Sequence, residues 1–373
     1  MRFIFWGAVA FIGYSYLGYI VYLLLRKCLR YRPVRRAPFF PFVSIVLVVR
    51  DEELQIERKL QNLLASRYPS EKVEIIVVSD GSIDGTNGIL RTFEKHSRVQ
   101  VIVRQRSQGK AASLNLALEA TRSEIVVFTD ARQVIADDAV LLLMQNFADP
   151  GVGCASGELT LGDPVSGEAI KGVGLYWKVE KLTRELESAS GSVVGATGAL
   201  YAIRRRLFVP IPGDTLLDDV LIPLQVARQG ARVVFDSRAR MWDAPDLGTR
   251  REFRRKVRTL SGIYQLLQLE AWLLSRANPL RFEFVSHKVL RLAVPFALCA
   301  AFVSSLFLPA LFYRIAWIAQ LAFYGLSACG SLRRKHNPCA RVADVAFTFV
   351  LLNGAALIAF ANFVARRKPV WGR

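Results

Sequence analysis

Apolar segments long enough to cross a bilayer fence this 373-residue chain at both ends, around a middle that alternates short apolar runs with amphipathic ones. Phe3 to Leu25 is apolar and uncharged, with aromatic residues near its ends, and it meets the roughly 20-residue length of a spanning helix. A cleaved signal peptide is the competing reading. Its single leading charge, long apolar run and missing small-residue cleavage site favour an uncleaved anchor. The basic cluster that follows (Arg26, Lys27, Arg30, Arg32, Arg35, Arg36) places that side, and the middle of the chain, in the cytosol. Leu292 to Phe312, Ile315 to Leu332 and Val342 to Ala365 close the chain. Four spans would put both termini outside, which sets Arg366, Arg367 and Lys368 against the positive-inside tendency.

The composition agrees with a mixed chain. Hydrophobic residues make up 52% and mean hydropathy is +0.28, too apolar for an ordinary soluble enzyme, while 22% charged residues are too many for an all-membrane protein. The net charge of +19 gathers beside the apolar segments, also at Arg250 to Arg258 and Arg333 to Lys335. That placement favours anionic lipid head groups over nucleic acid, for which no zinc pattern or RNA-binding signature is present. The five cysteines are scattered without a C-x-x-C, so neither a disulfide framework nor a zinc site is indicated.

Between Pro41 and about Phe235 the pattern is strand, helix, strand, helix. Val43 to Val49, Val73 to Val78, Val99 to Val103 and Ile125 to Phe128 are continuous apolar runs, as strands buried on both faces are. Helices are expected near Glu52 to Ala65, with Leu54, Leu60, Leu63 and Leu64 on one face, then near Thr86 to Glu94 and Ala111 to Ala120. The alternation predicts an α/β domain with a mostly parallel sheet, in which ligands bind beyond the carboxyl ends of the strands. Phe253 to Leu274 is basic on one side and apolar on another. It fits an amphipathic interfacial helix or a surface helix of the domain.

Three strings place carboxylates at those strand ends or at a helix start. Ser79-Asp80-Gly81-Ser82 follows a strand, and a carboxylate there can accept hydrogen bonds from a base or ribose, although Asp-Gly is also a generic turn. Asp130, in Phe128 to Arg132, can hold Mg²⁺ or Mn²⁺ against a sugar diphosphate or simply end a strand. Leu217-Asp218-Asp219-Val220 opens an apparent helix ending at Gly230; the paired carboxylates suit a general base or an N-terminal cap. Asp137 and Asp138 read as caps of the following helix. Lys110 and Asn115 lie at and just inside another helix start, where anions are well placed.

Taken in order, these residues resemble a family 2 glycosyltransferase of the membrane-embedded kind that includes cellulose and hyaluronan synthases, over roughly Pro41 to Leu267. The resemblance implies a GT-A fold with a Rossmann-like, mixed and mostly parallel sheet, and inverting transfer from a nucleotide sugar with Mg²⁺ or Mn²⁺. It implies that Asp80 contacts the nucleoside, Lys110 lies near the diphosphate or donor sugar, Asp130 is a metal ligand and Asp219 deprotonates the acceptor. Asp219 is preferred to Asp218 because its distance to Gly230 matches the spacing after the family's T-E-D motif. Gly174 to Trp177 with Thr197, Gly198, Ala199 and Leu200 looks like the acceptor side. Ser286 to Leu290 looks like the stretch before the last membrane helices, with His287 structural rather than catalytic.

Three departures matter. Arg132 replaces the second Asp of the D-x-D motif, which removes a metal ligand and offers a direct neutraliser of diphosphate. Arg50 stands where the family often has Tyr near the base. Arg258 keeps the Arg of the Q-x-x-R-W motif, but Thr259 replaces its Trp, so a ring that would stack on the acceptor sugar is missing.

The expected organisation is an anchor (1–30), a cytosolic GT-A domain (41–250), interfacial helices (251–290) and a membrane region of about three helices (291–373). The expected protein is a multi-pass enzyme of the cell (inner) membrane. It would move a hexose or N-acetylhexosamine, from a UDP-linked donor, to a glycan or lipid-linked acceptor, with anionic lipids as further partners. A non-catalytic scaffold or regulatory relative is the competing reading, motivated by Arg132 and Thr259.

Overall fold

A computed structural model describes residues 1–162, 175–244, 249–332 and 338–367. The expected calls on Gly174, on Arg333 to Lys335 and on Lys368 lie outside these. The domain is built on an eight-stranded sheet of β1 (Val43–Val49), β2 (Val73–Asp80), β3 (Val99–Arg104), β4 (Ile125–Thr129), β5 (Val134–Ile135), β6 (Val152–Leu161), β7 (Leu200–Arg204) and β8 (Arg232–Asp243), in the order β3-β2-β1-β4-β7-β6-β8-β5. β1 to β4 are mutually parallel, as the apolar runs predict. β7 enters antiparallel beside β4, so the sheet is mixed.

The strands are apolar on both faces because both faces are covered. Along β1, Val46 and Val48 join a core with the Lys110–Ala120 and Asp218–Arg228 helices. Val43, Ile45, Leu47 and Val49 join a second core with the Ile56–Leu64 and Ala139–Gln145 helices. This period of two is the strand's own geometry. One expected contact fails: Leu54 is 82% exposed, because the helix begins at Ile56 and its buried face is Ile56, Leu60 and Leu63. Asp138 does occupy the N-cap of the Ala139–Gln145 helix, but without a side-chain cap bond, and Asp137 pairs with Arg67 at 2.7 Å.

The basic amphipathic segment forms the Thr249–Leu269 helix, followed by a short 3-10 turn at Ala271–Leu274. One face packs into the domain through Ile263 and Leu266. Another meets the Pro338–Val364 helix, where Tyr264 stacks on Phe363 with centroids 4.8 Å apart. Among the described residues three helices are long and apolar enough to cross a membrane: Arg2–Leu29, Arg281–Leu306 and Val342–Val364. The expected Ile315 to Leu332 stretch lies within the Leu311–Leu332 helix. Cys28, Cys154, Cys299 and Cys329 are free thiols.

The first apolar helix is tied to the domain by a buried polar joint. The Tyr19 hydroxyl donates to Glu187 Oε1 at 2.8 Å, and Arg26 pairs with Glu283. His287, 1% exposed, sits between Glu187 (2.8 Å from Nδ1) and Glu180 (3.1 Å from Nε2). Lys288 and Arg291 also reach Glu180, at 3.3 and 3.0 Å. Burial would raise the Glu180 carboxyl, but these cations hold it well below the usual range. His287 is thus enclosed in a buried ion network. Removing one partner of such a group leaves charge buried and unpaired. His287→Leu is expected to cost about 3 kcal/mol, read as a lower melting temperature in detergent.

Candidate active site

The parallel register brings the polar strand ends to one edge. Val49 is level with Ser79, Asp80 with Arg104, and Leu47 with Thr129. Arg50, Asp80 and Asp130 therefore emerge side by side. β7 begins opposite the end of β4, with Leu200 level with Thr129, and this brings Gly198 to the same edge.

Asp80 is fully buried and its two oxygens are saturated. The backbone N–H groups of Gln108 and Gly109 donate to it at 2.9 Å each, with Ser107 and Ser113 hydroxyls at 2.7 and 3.0 Å. Burial works against the charge, but these donors win and hold the carboxyl below its usual range. Asp80 thus anchors the loop before Lys110. Arg50 Nη1 donates to Ser107 Oγ at 3.2 Å, so it is the guanidinium that borders the open side. Gly81 is required here. Its φ is +68°, and an added Cβ would lie 2.4 Å from the Ser107 nitrogen.

Lys110 opens the next helix directly after Gly109, whose φ is +95°. Its ammonium lies 3.0 Å from Asp130 Oδ1 and 3.4 Å from Asp218 Oδ2. Burial would lower its pKa, but Asp130 and Asp218 raise it further, so the ammonium stays charged. Asp218 and Asp219 are the first two residues of the Asp218–Arg228 helix, and the N-cap position before them is Leu217, so neither is the N-cap. Burial raises Asp219 to about 6, with repulsion from Asp218 adding to it and Lys110 and Arg184 pulling back. Burial also raises Asp218, against the pull of Lys110. Gly198 makes room for Asp219: a Cβ there would lie 3.0 Å from Asp219 Oδ2.

Two expected residues stand apart. Asn115 engages both its amide atoms with the Ile211 backbone, at 2.8 and 3.1 Å, and so braces the chain before Asp218 instead of facing a ligand. Arg258 is exposed on the Thr249–Leu269 helix. Arg132 is bound to Asp243 at the end of β8, and Gln133 shares that carboxylate at 3.0 Å. Its charge therefore has a protein partner.

Other residues of the site carry no motif. Lys59 is 1% exposed and donates to Thr129 Oγ1 and to the Gln133 carbonyl, both at 2.8 Å, under the loop that presents Asp130. Burial lowers it to about 7, Asp130 opposing. A lysine on the apolar face of the Ile56–Leu64 helix is an anomaly the sequence does show. Arg184 donates to Thr197 Oγ1 at 2.6 Å, and the Ala196 N–H donates to the Asp219 carbonyl at 2.7 Å, so the Leu175–Ser190 helix braces the carboxylate pair. Only folding reveals that.

Among the described residues no three His, Cys, Asp or Glu form a metal cluster. Asp130 is 40% exposed, the open carboxylate of a cluster whose Asp218 is buried. One open carboxylate fits a divalent ion of the Mg²⁺ type, which takes one or two protein carboxylates and completes its shell with phosphate oxygens and water.

Residues 44–209 match the family model for glycosyl transferase family 2. A poly-beta-1,6-N-acetyl-D-glucosamine synthase of Staphylococcus aureus (strain COL) is 24% identical over 204 residues, 54% of this chain and 49% of that protein. A beta-monoglucosyldiacylglycerol synthase of Nostoc sp. (strain PCC 7120) is 27% identical over 186 residues, 48% of this chain and 40% of that one. The chain thus spans about half the length, or less, of these curated relatives. The mannosyltransferase PcManGT from Pyrobaculum calidifontis, solved with GDP-Man and Mn²⁺, superposes with a TM-score of 0.75 at 24% identity, covering 96% of this chain and 98% of that one. At that identity the likeness establishes the fold, which is GT-A.

The Asp219 carboxyl is expected to titrate near pH 6, and Arg184→Gln to move it upward by removing a nearby positive charge. Infrared difference titration, with Asp219→Asn as the blank, measures both.

Proposed function

We propose that this chain, whose residues 44–209 match glycosyl transferase family 2, moves a hexose or N-acetylhexosamine with inversion, using Asp219 as the general base. The observation that carries this reading is the Asp218-Asp219 pair at a helix start, buried beside Lys110 and Asp130 at the sheet's carboxyl edge. A carboxyl raised to about 6 is ionised at neutral pH yet basic enough to take a hydroxyl proton.

The donor's nucleoside lies against Arg50 and the loop from Ser107 to Gly109, which Asp80 holds from behind. Its diphosphate lies over Lys110. The acceptor hydroxyl gives its proton to Asp219, its oxygen bonds to the anomeric carbon, and the bond from that carbon to the diphosphate breaks. The nucleoside diphosphate leaves with the electron pair. Gly198 leaves the space beside Asp219 in which the acceptor hydroxyl sits. Asp130 would hold a Mg²⁺ or Mn²⁺ ion, which when bound supplies charge neutralisation to the leaving diphosphate. Lys110 supplies part of that neutralisation from the protein. Arg132, already bound to Asp243, is not needed for it.

The named activities of the relatives support a glycan or lipid-linked acceptor. The apolar helices and the basic residues beside them support a catalytic domain on the cytosolic face of the cell membrane, against anionic lipids. A UDP-linked donor is favoured by the resemblance to polysaccharide synthases. The absence of a ring at Thr259 favours a short or single transfer over a long processive one.

Asp219→Asn is expected to abolish nucleotide release while donor binding survives; substantial residual turnover would remove the base assignment. In wild type, turnover should fall as pH drops through about 6, when Asp219 gains its proton. EDTA is expected to stop turnover and Mn²⁺ or Mg²⁺ to restore it. Turnover that persists in EDTA would show that Lys110 suffices without a metal. A panel of UDP-, GDP- and dTDP-sugars with membrane lipid extract identifies the donor.

A further inference from the structure

A cleft of about 570 Å³ opens where the Thr249–Leu269 helix meets the Leu311–Leu332 and Pro338–Val364 helices. Its walls are apolar, with Tyr324, Phe347 and Leu351 among them. Gly354 also lines it, and a Cβ there would meet nothing within 4 Å, so the space beside it is open. Arg250 and Arg254 line the same cleft. They are four residues apart and so project from one face of the helix on successive turns.

These two arginines differ from their neighbours. One row over, Arg255 and Lys256 both pair with Glu252, at 2.5 and 3.7 Å. Arg250 and Arg254 are exposed, and no carboxylate among the described residues pairs with either. Two guanidinium groups beside apolar walls call for an anion, and the walls call for hydrocarbon. A guanidinium pairs with phosphate through parallel N–H donors, while apolar surface is covered by acyl chain. One of the helices that forms the cleft contains a segment apolar enough to cross a membrane, Val342–Val364, so a lipid is the ligand within reach.

We propose that this cleft is a binding site for an anionic membrane phospholipid, its phosphate held by Arg250 and Arg254 and an acyl chain laid along Phe347 and Leu351. The site is separate from the transfer chemistry. The same helix meets Leu217, beside Asp218, at Gly262, where a Cβ would lie 2.6 Å from the Leu217 side chain. That point is about 18 Å further along the helix axis from Arg250. The inference does not depend on which sugar is transferred or on which residue is the base.

The test uses the full chain in phosphatidylcholine nanodiscs containing a trace of lipid with a photoreactive acyl chain, either phosphatidylglycerol or phosphatidylcholine. Cross-linked peptides are mapped by mass spectrometry. The phosphatidylglycerol probe is expected to label the segment 347–354, and the phosphatidylcholine probe to label it much less. Replacing both arginines (Arg250→Gln with Arg254→Gln) should reduce that labelling about thirtyfold, since each basic residue near an anionic lipid is worth about 1 kcal/mol. Gly354→Leu, which keeps both arginines and fills the open space, should reduce it as well. Excess inorganic phosphate should leave the labelling unchanged. Equal labelling by both lipids, or labelling indifferent to the arginines, would overturn the proposal. So would displacement by inorganic phosphate, which would show that the arginines take a free anion. Nucleotide release by each variant reports that it is folded.

Discussion

The Lys110 ammonium is the interaction on which the site depends. Asp130, Asp218 and Asp219 converge at the edge of one sheet, and like charges in a poorly hydrated space repel. Lys110 lies within 3.0 Å of the first and 3.4 Å of the second, and it lowers the third. Without it, more of the cluster would take up protons and Asp219 would be a poorer base at neutral pH. With it, burial still leaves Asp219 raised to about 6. In the reaction we propose, the same cation that holds the acids together also receives the donor's diphosphate.

Lys110 is in turn placed by Asp80. By accepting four hydrogen bonds, two of them from the backbone at Gln108 and Gly109, Asp80 fixes the loop from which the lysine's helix starts. Gly81 allows that loop to approach closely. Asp51, with φ at +54°, accepts from the Ile83 N–H at 2.9 Å and ties the end of β1 to the same region. From below, Lys59 holds the segment from Thr129 to Gln133. These are structural uses of polar residues, and they make the open side of the site a preformed surface.

The sheet edge was legible because its causes are local. Four apolar runs bounded by polar turns mark β1 to β4 to within two residues of their observed ends, and the polar residues directly after them had to lie at the carboxyl edge. β6, β7 and β8 were not read, because they pair antiparallel or out of sequence order and carry mixed patterns. Two long-range contacts were not legible for the same reason. Asp80 has the sequence of a ligand contact, yet it is enclosed by a loop some 27 residues later. Asn115 was read at a helix start, yet it lies mid-helix and binds Ile211, 96 residues away.

The sequence by itself determined the α/β class, the parallel half of the sheet, the apolar helices at both ends and the identity of the acidic cluster. Each follows from hydrophobic period, turn chemistry or a motif within a few residues. Only the tertiary structure decided which acids share one cation, that Arg132 is taken by Asp243, that Lys59 and Arg184 serve the site, and that Arg250 and Arg254 line an apolar cleft. The physical reason is that pKa, burial and pairing belong to groups within a few ångströms of one another. β7 inserted beside β4 brings Gly198 to the carboxyl edge, and the helix after Leu217 brings Asp219 against it, a proximity no local pattern in the chain encodes.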